Sequence, residues 1–169
     1  MTFDPLYQNL LMEHYRHPRN FGKLEAPARR LHYDNPFCGD HLDLYLRLSG
    51  QNRIEAIKFQ GRGCVLSQAS ASMMTEAVLG KPPAQARELI TLFQKLFSSP
   101  RAEKEPLIGD LLVFAHVNDF PSRIPCATLP WQALALCLPA EDDTDVPLEF
   151  YSPDEYFIPK TPVKNLIFS

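Results

Sequence analysis

The stretch HLDLYLRLSGQNRIEAIKFQ, residues 41–60, alternates apolar and polar residues on either side of one polar break. Leu42, Leu44, Leu46 and Leu48 fall on one face and Asp43, Tyr45 and Arg47 on the other, the period-two pattern of a strand with one buried side. Ser49-Gly50-Gln51-Asn52 supplies a turn, and Ile54 to Gln60, with Ile57 and Phe59, supplies the returning strand. The stretch therefore predicts a β-hairpin. Its ends abut two cysteine segments, Pro36-Phe37-Cys38-Gly39-Asp40 before it and Gly61-Arg62-Gly63-Cys64 after it. One hairpin thus ties two candidate site loops together.

Working outward, Leu31-His32-Tyr33 reads as a short strand before the first cysteine turn. Further back, Asp4 and Pro5 form an N-cap and first helical position, and Leu6, Leu10 and Leu11 make an apolar stripe that ends before Pro18. A helix over residues 4–16 is expected. On the other side, Ser67 to Leu79 is rich in Ala, Ser and Met and is closed by Gly80, so a closely packed helix is expected there. Residues 83–97 carry Leu89, Leu92, Phe93, Leu96 and Phe97 at helical spacing, whereas the apolar segment 107–117 favours neither period. After a third cysteine, Cys126, the run from Trp131 to Leu138 predicts a last helix, with Pro130 tolerable in its first turn. Beyond Pro139 the chain is acidic and interrupted by prolines, and Leu148 to Tyr151 and Asn165 to Phe168 are candidate edge strands. The expected organisation is one metal-binding domain, residues 1–138, and a C-terminal extension, residues 139–169.

Composition narrows the function classes. The chain has 169 residues, 45% of them hydrophobic, and a formal charge of −3 without basic runs, so neither nucleic acid nor an anionic membrane is an expected partner. No stretch approaches the ~20 apolar residues of a spanning helix, and the N-terminus, with Asp4 and Glu13, lacks secretory and transit-peptide character. A prokaryotic cytoplasm is the expected location. Four widely spaced cysteines are unlike the disulfide lattice of a small secreted domain, so metal binding or thiol chemistry becomes the question.

Cys38, Cys64 and Cys126 each stand in a segment punctuated by Gly or Pro, and Asp40 follows Cys38 by two residues. Three thiolates and a carboxylate can make one tetrahedral site, a donor set that suits zinc or iron in a sulfur cluster. Cys64 and Cys126 are both expected just ahead of a helix, where the positive end of the helix suits an anionic ligand. The competing reading is that cysteine is a common core residue and the three never meet. His41 beside Asp40 reads either as an outer-shell donor or as a solvated loop histidine, and Cys137, Met73 and Met74 read as core residues.

Four blocks together, YQNLLMEHYRHPRNFG at 7–22, NPFCGD at 35–40, GRGCVLSQASASMMTEAV at 61–78 and FPSRIPCATLPWQAL at 120–134, resemble the U-type iron-sulfur cluster assembly proteins, the NifU N-terminal/IscU-like superfamily. The resemblance implies an α+β fold, a small antiparallel β-sheet with helices packed on one face. It also implies a metal set of Cys38, Asp40, Cys64 and Cys126 that binds Zn2+ or, in the scaffold branch, a nascent [2Fe-2S] cluster. That branch carries a histidine directly before the third cysteine, where this chain has Pro125. Arg123 and the interval 83–119 instead resemble the SufU branch, which accepts sulfur from a SufS-type cysteine desulfurase. The resemblance therefore implies a zinc-dependent sulfurtransferase in which a desulfurase histidine displaces Cys38 from zinc, Cys38 takes up the sulfur, and Arg123 steadies the site or the partner. The sulfur would pass to iron-sulfur assembly scaffold or recipient proteins. The alternative it leaves open is a scaffold that assembles and transfers a [2Fe-2S] cluster.

Overall fold

Burial follows the leucine alternation: Leu42, Leu44 and Leu46 are buried against helices in the computed structural model, which describes residues 5–35, 39–98 and 106–140. Strand β1, Arg29–Asp34, pairs antiparallel with β2, His41–Leu48, and β2 pairs antiparallel with β3, Ile54–Arg62, giving the order β1-β2-β3. The register sets Leu31 opposite Leu44 and Leu44 opposite Phe59, so one apolar row crosses the sheet. The opposite face carries Arg30, His32, Asp43, Gln60 and Lys58, yet Tyr45 in its middle is also buried. The Arg30 guanidinium lies 5.6 Å from the Tyr45 ring centroid, and Arg47 holds the Glu25 and Pro27 carbonyls of the segment leading into β1. Alternation alone assigned Tyr45 to solvent; cation–π cover explains part of its burial.

Helices pack on the leucine face. α1 is Pro5–Arg16, α2 is Val65–Val78, α3 is Pro83–Lys95 and α4 is Ile124–Cys137. α2 lies against β3 and α4 against β1 and β2, with α1 stacked on α2. The small residues of α2 permit this: Ala69, Ser70, Ala71 and Ser72 are all buried, and Ser70 Oγ donates to the Ala127 carbonyl at 2.6 Å. Trp131 Nε1 donates to the same Ser70 oxygen at 3.1 Å, so the N-terminal halves of α2 and α4 are stitched side by side. Trp131 in turn stacks on Phe93 of α3 with ring centroids 4.4 Å apart.

Two segments depart from the sequence expectation. The apolar run around 107–117 is a stretch of 3-10 turns, Gly109–Asp119, in which Leu111, Val113, Phe114 and Val117 are buried. α4 begins at Ile124, six residues before Pro130, so Pro125 occupies its first turn and Pro130 its interior. Pro130 lacks the N–H that would reach the Cys126 carbonyl four residues back, a cost that burial of α4 between sheet and α2 offsets. The expected strands 148–151 and 165–168 lie outside the described residues. No helix among the described residues is long and apolar enough to cross a membrane.

A buried histidine joins α1 to α2. His14 Nδ1 lies 2.8 Å from Ser72 Oγ, the Arg19 backbone N–H donates to the same oxygen, and Asn20 donates to Thr75. Burial, then the Arg19 charge, lowers the His14 pKa against the smaller pull of Glu76, Glu13 and Asp110. In the unfolded chain the group titrates near 6.5, so below that pH the unfolded state binds the extra proton. Its contribution is complete above about pH 6.5 and is lost as pH falls through the lowered folded value. His32 works in the opposite sense. Burial is the largest single effect and opposes its charge, but the Asp43 and Asp34 carboxylates together raise its pKa, so its contribution is lost as pH rises through that raised value. A His14→Gln chain should therefore lose less thermal stability than wild type between pH 6.5 and pH 5, read as melting temperature against pH. Parallel curves would rule out His14 as a source of acid sensitivity.

Candidate metal centre

The sheet and the two stitched helices converge at one end of the molecule. Asp40 is the last residue before β2, and its carbonyl accepts the Asn35 N–H at 2.9 Å, which closes the connection between β1 and β2. At the far end of β3 the chain turns through Gly63 into α2, with Cys64 as N-cap in extended conformation. The Cys64 carbonyl accepts from the Gln68 N–H and from Ser67 Oγ, each at 3.1 Å, which fixes the first turn. Cys126 lies buried in the first turn of α4, inside the helix and not ahead of it.

These elements bring Asp40, Cys64 and Cys126 together: a carboxylate oxygen and the two Sγ atoms all lie within 4.8 Å of one another. Ligands of a tetrahedral zinc at a Zn–S distance of about 2.3 Å stand about 3.8 Å apart, so a modest contraction suits the ion. Asp40 Oδ2 is buried and has no hydrogen-bond partner among the described residues. A buried carboxylate oxygen without a donor is costly unless a cation meets it, and two thiols beside it are the soft donors such a cation would use. The donor set fits a metal ion.

The remaining sequence-derived site residues are placed differently. Cys38 lies outside the described residues, in the connection whose ends Asn35 and Asp40 hold. Arg123 is exposed at the end of a short 3-10 turn, Pro121–Arg123, three residues before Cys126. His41 is half-buried on the sheet face away from the helices, its ring 5.9 Å from that of His32. Cys137, at the other end of α4, is fully buried; burial pushes its thiol up to about 12 against a small opposing effect of Arg29, so it is an inert core residue. Met73 and Met74 are core residues too.

Sequence reasoning missed two residues that shape the centre, Ser67 and Asn35. A serine three residues after an N-cap, within a G-x-G-C-x-x-S pattern, was the available signal for the first; nothing local marked the second. The glycines that punctuate the Cys64 segment act through space and not through backbone conformation. Among the described glycines, positive φ occurs at Gly22, Gly80 and Gly109, not at Gly61 or Gly63. Those two provide space: a Cβ at Gly61 would lie 2.2 Å from the His41 carbonyl oxygen, and one at Gly63 would lie 3.0 Å from Asp40 Cγ.

Residues 6–127 match the family described as NifU-like N terminal domain. Among curated relatives, the zinc-dependent sulfurtransferase SufU of Bacillus subtilis is 40% identical over 133 residues, covering 79% of this chain and 89% of that protein. The iron-sulfur cluster assembly scaffold protein IscU of Streptococcus pyogenes serotype M1 is 36% identical over 129 residues, covering 76% and 80%. Among solved structures, a protein of Fervidobacterium islandicum AW-1, provisionally described as an iron-sulfur cluster assembly scaffold for the SUF system, superposes with a TM-score of 0.70 at 30% identity, covering 77% of this chain and 94% of that one.

Proposed function

The chain belongs to the NifU-like N-terminal domain family, and from that premise we propose that it serves iron-sulfur cluster assembly as a zinc-dependent sulfur acceptor for a cysteine desulfurase. The observation that carries the proposal is the convergence of Asp40, Cys64 and Cys126 around an unsatisfied carboxylate oxygen. Cys38, two residues from Asp40, completes the set, since two residues of chain keep its Cα within about 7 Å of that of Asp40. Zinc holds cysteine as thiolate at neutral pH and has no redox chemistry of its own. Pro125, next to Cys126, offers neither a spare ligand nor a proton carrier, which favours zinc over cluster building. The 40% identity to a protein named as a zinc-dependent sulfurtransferase supports the same choice.

The sulfur step asks little of the fold. The Cys38 thiolate attacks the outer sulfur of a persulfide on the desulfurase; one S–S bond forms, the donor S–S bond breaks, and the donor cysteine leaves as thiolate. No net electron is gained or lost. Arg123, exposed and three residues before Cys126, would meet an acidic group of that partner. Residues 1–138 form the metal-binding domain in this proposal, residues 139–169 are an extension beyond it, and the protein acts in the cytoplasm on sulfur bound for scaffold or recipient proteins.

Protein purified without oxygen should hold stoichiometric zinc, stimulate a SufS-type desulfurase and gain one sulfur atom on the peptide carrying Cys38. Cys38→Ala should keep its fold and lose the stimulation. Stoichiometric iron with a charge-transfer spectrum and little zinc would replace the proposal with the [2Fe-2S] scaffold reading, which the relationship to IscU supports.

A further inference from the structure

We infer that Gly63 is a positioning residue of the candidate centre: the space left by its missing side chain admits the Asp40 carboxylate beside Cys64. The inference rests on the metal-binding reading above. A Cβ at this position would lie 2.2 Å from Ser67 Oγ, 3.0 Å from Asp40 Cγ and 3.3 Å from Asp40 Cβ. The backbone of Gly63 is not left-handed, so an L-residue is excluded by crowding and not by conformation. Alanine there must displace the Ser67 hydroxyl and crowds the Asp40 carboxylate as well.

Ser67 meets the sharper contact and must yield. It is 2% exposed, and its hydroxyl donates to the Cys64 carbonyl within the first turn of α2. Asp40 sits where the connection between β1 and β2 meets β2, with its carboxylate partly unsatisfied. The contact at 3.0 Å from Cγ makes the carboxylate yield too, by a few tenths of an ångström, which disturbs its setting against the thiols. Cys64 and Cys126 keep their places, because α2 and α4 are stitched through Ser70 and Trp131 beneath them. Gly61 is different: a Cβ there meets backbone, the His41 carbonyl, and would disturb the pairing of β2 with β3. Gly61 serves the sheet and Gly63 the oxygen corner of the centre.

The test is a double-mutant cycle in the full-length chain. Zinc affinity is measured by competition with a chromophoric chelator for wild type, Gly63→Ala, Asp40→Ala and the double variant. The melting temperature of each metal-free form and the ligand-field spectrum of each cobalt(II) form are recorded alongside. Gly63→Ala should weaken zinc binding about 10–100-fold, the usual cost of disturbing a residue that orients a ligand. It should shift the cobalt spectrum in the same direction as Asp40→Ala, and the double variant should bind no more weakly than Asp40→Ala alone. The metal-free melting temperature of Gly63→Ala reports the cost of displacing Ser67 separately from the loss of zinc affinity. If Gly63→Ala fails to fold, Gly63→Ala/Ser67→Ala, which removes the sharper contact and keeps the one with Asp40, serves the same comparison. Wild-type zinc affinity in the glycine variant with weakened binding in Asp40→Ala, or additive losses in the double variant, would overturn the inference and leave the metal centre standing. Wild-type affinity in Asp40→Ala would overturn both Asp40 as a ligand and the inference built on it.

Discussion

Cys126→Ala is expected to cost the centre about a hundred- to a thousandfold in zinc affinity, while leaving the metal-free fold nearly intact. Structural zinc sites bind with about 10–16 kcal/mol in all, which shared among four ligands is about 2.5–4 kcal/mol each. At about 1.4 kcal/mol per decade that is two to three decades of affinity. The loss should exceed that in Asp40→Ala, because a thiolate is the softer and stronger donor to zinc than a carboxylate. Cys126 is also the buried member of the three converging residues, so water enters its corner less readily than that of Asp40 or Cys64. Cys137→Ala is the matched control: it removes an equally buried thiol from the same helix, at a position facing the core. Chelator competition should separate the two variants by at least tenfold, whereas their metal-free melting temperatures should be similar. Equal zinc affinity in both would remove Cys126 from the ligand set.

Why the thiols were legible in sequence and the carboxylate's setting was not has a physical reason. The leucines of β2 report burial by period alone, and the strand formed where alternation placed it, at His41–Leu48. Gly80 marked the end of α2 within two residues, and Leu89, Leu92, Phe93 and Leu96 marked the buried side of α3. These are local signals. α4 was misjudged because two prolines, Pro125 and Pro130, argue against a helix spanning both, and only its burial between sheet and α2 decides otherwise. The turns at Gly109–Asp119 likewise answer to the partners of Phe114 and not to their own period. In the centre itself, Cys64 and Cys126 could be proposed from their segments, but their meeting depends on Ser70 lying between the Ala127 carbonyl and the Trp131 indole. Nothing in the pattern around Gly63 says that Asp40, far away in the chain, needs its space.

Trp131→Ala is expected to destabilise the protein by about 3–5 kcal/mol, the usual cost of emptying a large aromatic site in a core. Trp131 has no exposure, stacks on Phe93 at 4.4 Å with a 16° interplanar angle, and donates its indole N–H to Ser70. Phe93 also meets Phe114 and Phe97 edge-on, so the indole closes an aromatic cluster that joins α3, α4 and the 3-10 segment. The void cannot close easily, because the stitch between α2 and α4 and the sheet beneath α4 hold its walls. For a domain of this size the loss corresponds to a fall of about 10 °C or more in melting temperature. Trp131→Phe should cost less, since it keeps most of the stacking and gives up the hydrogen bond to Ser70. The same substitution should also reach the centre: Cys126 stands five residues before Trp131 on α4, and a helix free to shift no longer fixes that thiol against Asp40 and Cys64. Trp131→Ala should therefore lower both the metal-free melting temperature and zinc affinity, whereas Cys126→Ala should lower only the second. A Trp131→Ala protein that melted like wild type, or that lost stability while binding zinc undiminished, would mean that the core holds the helices without setting the spacing of the thiols.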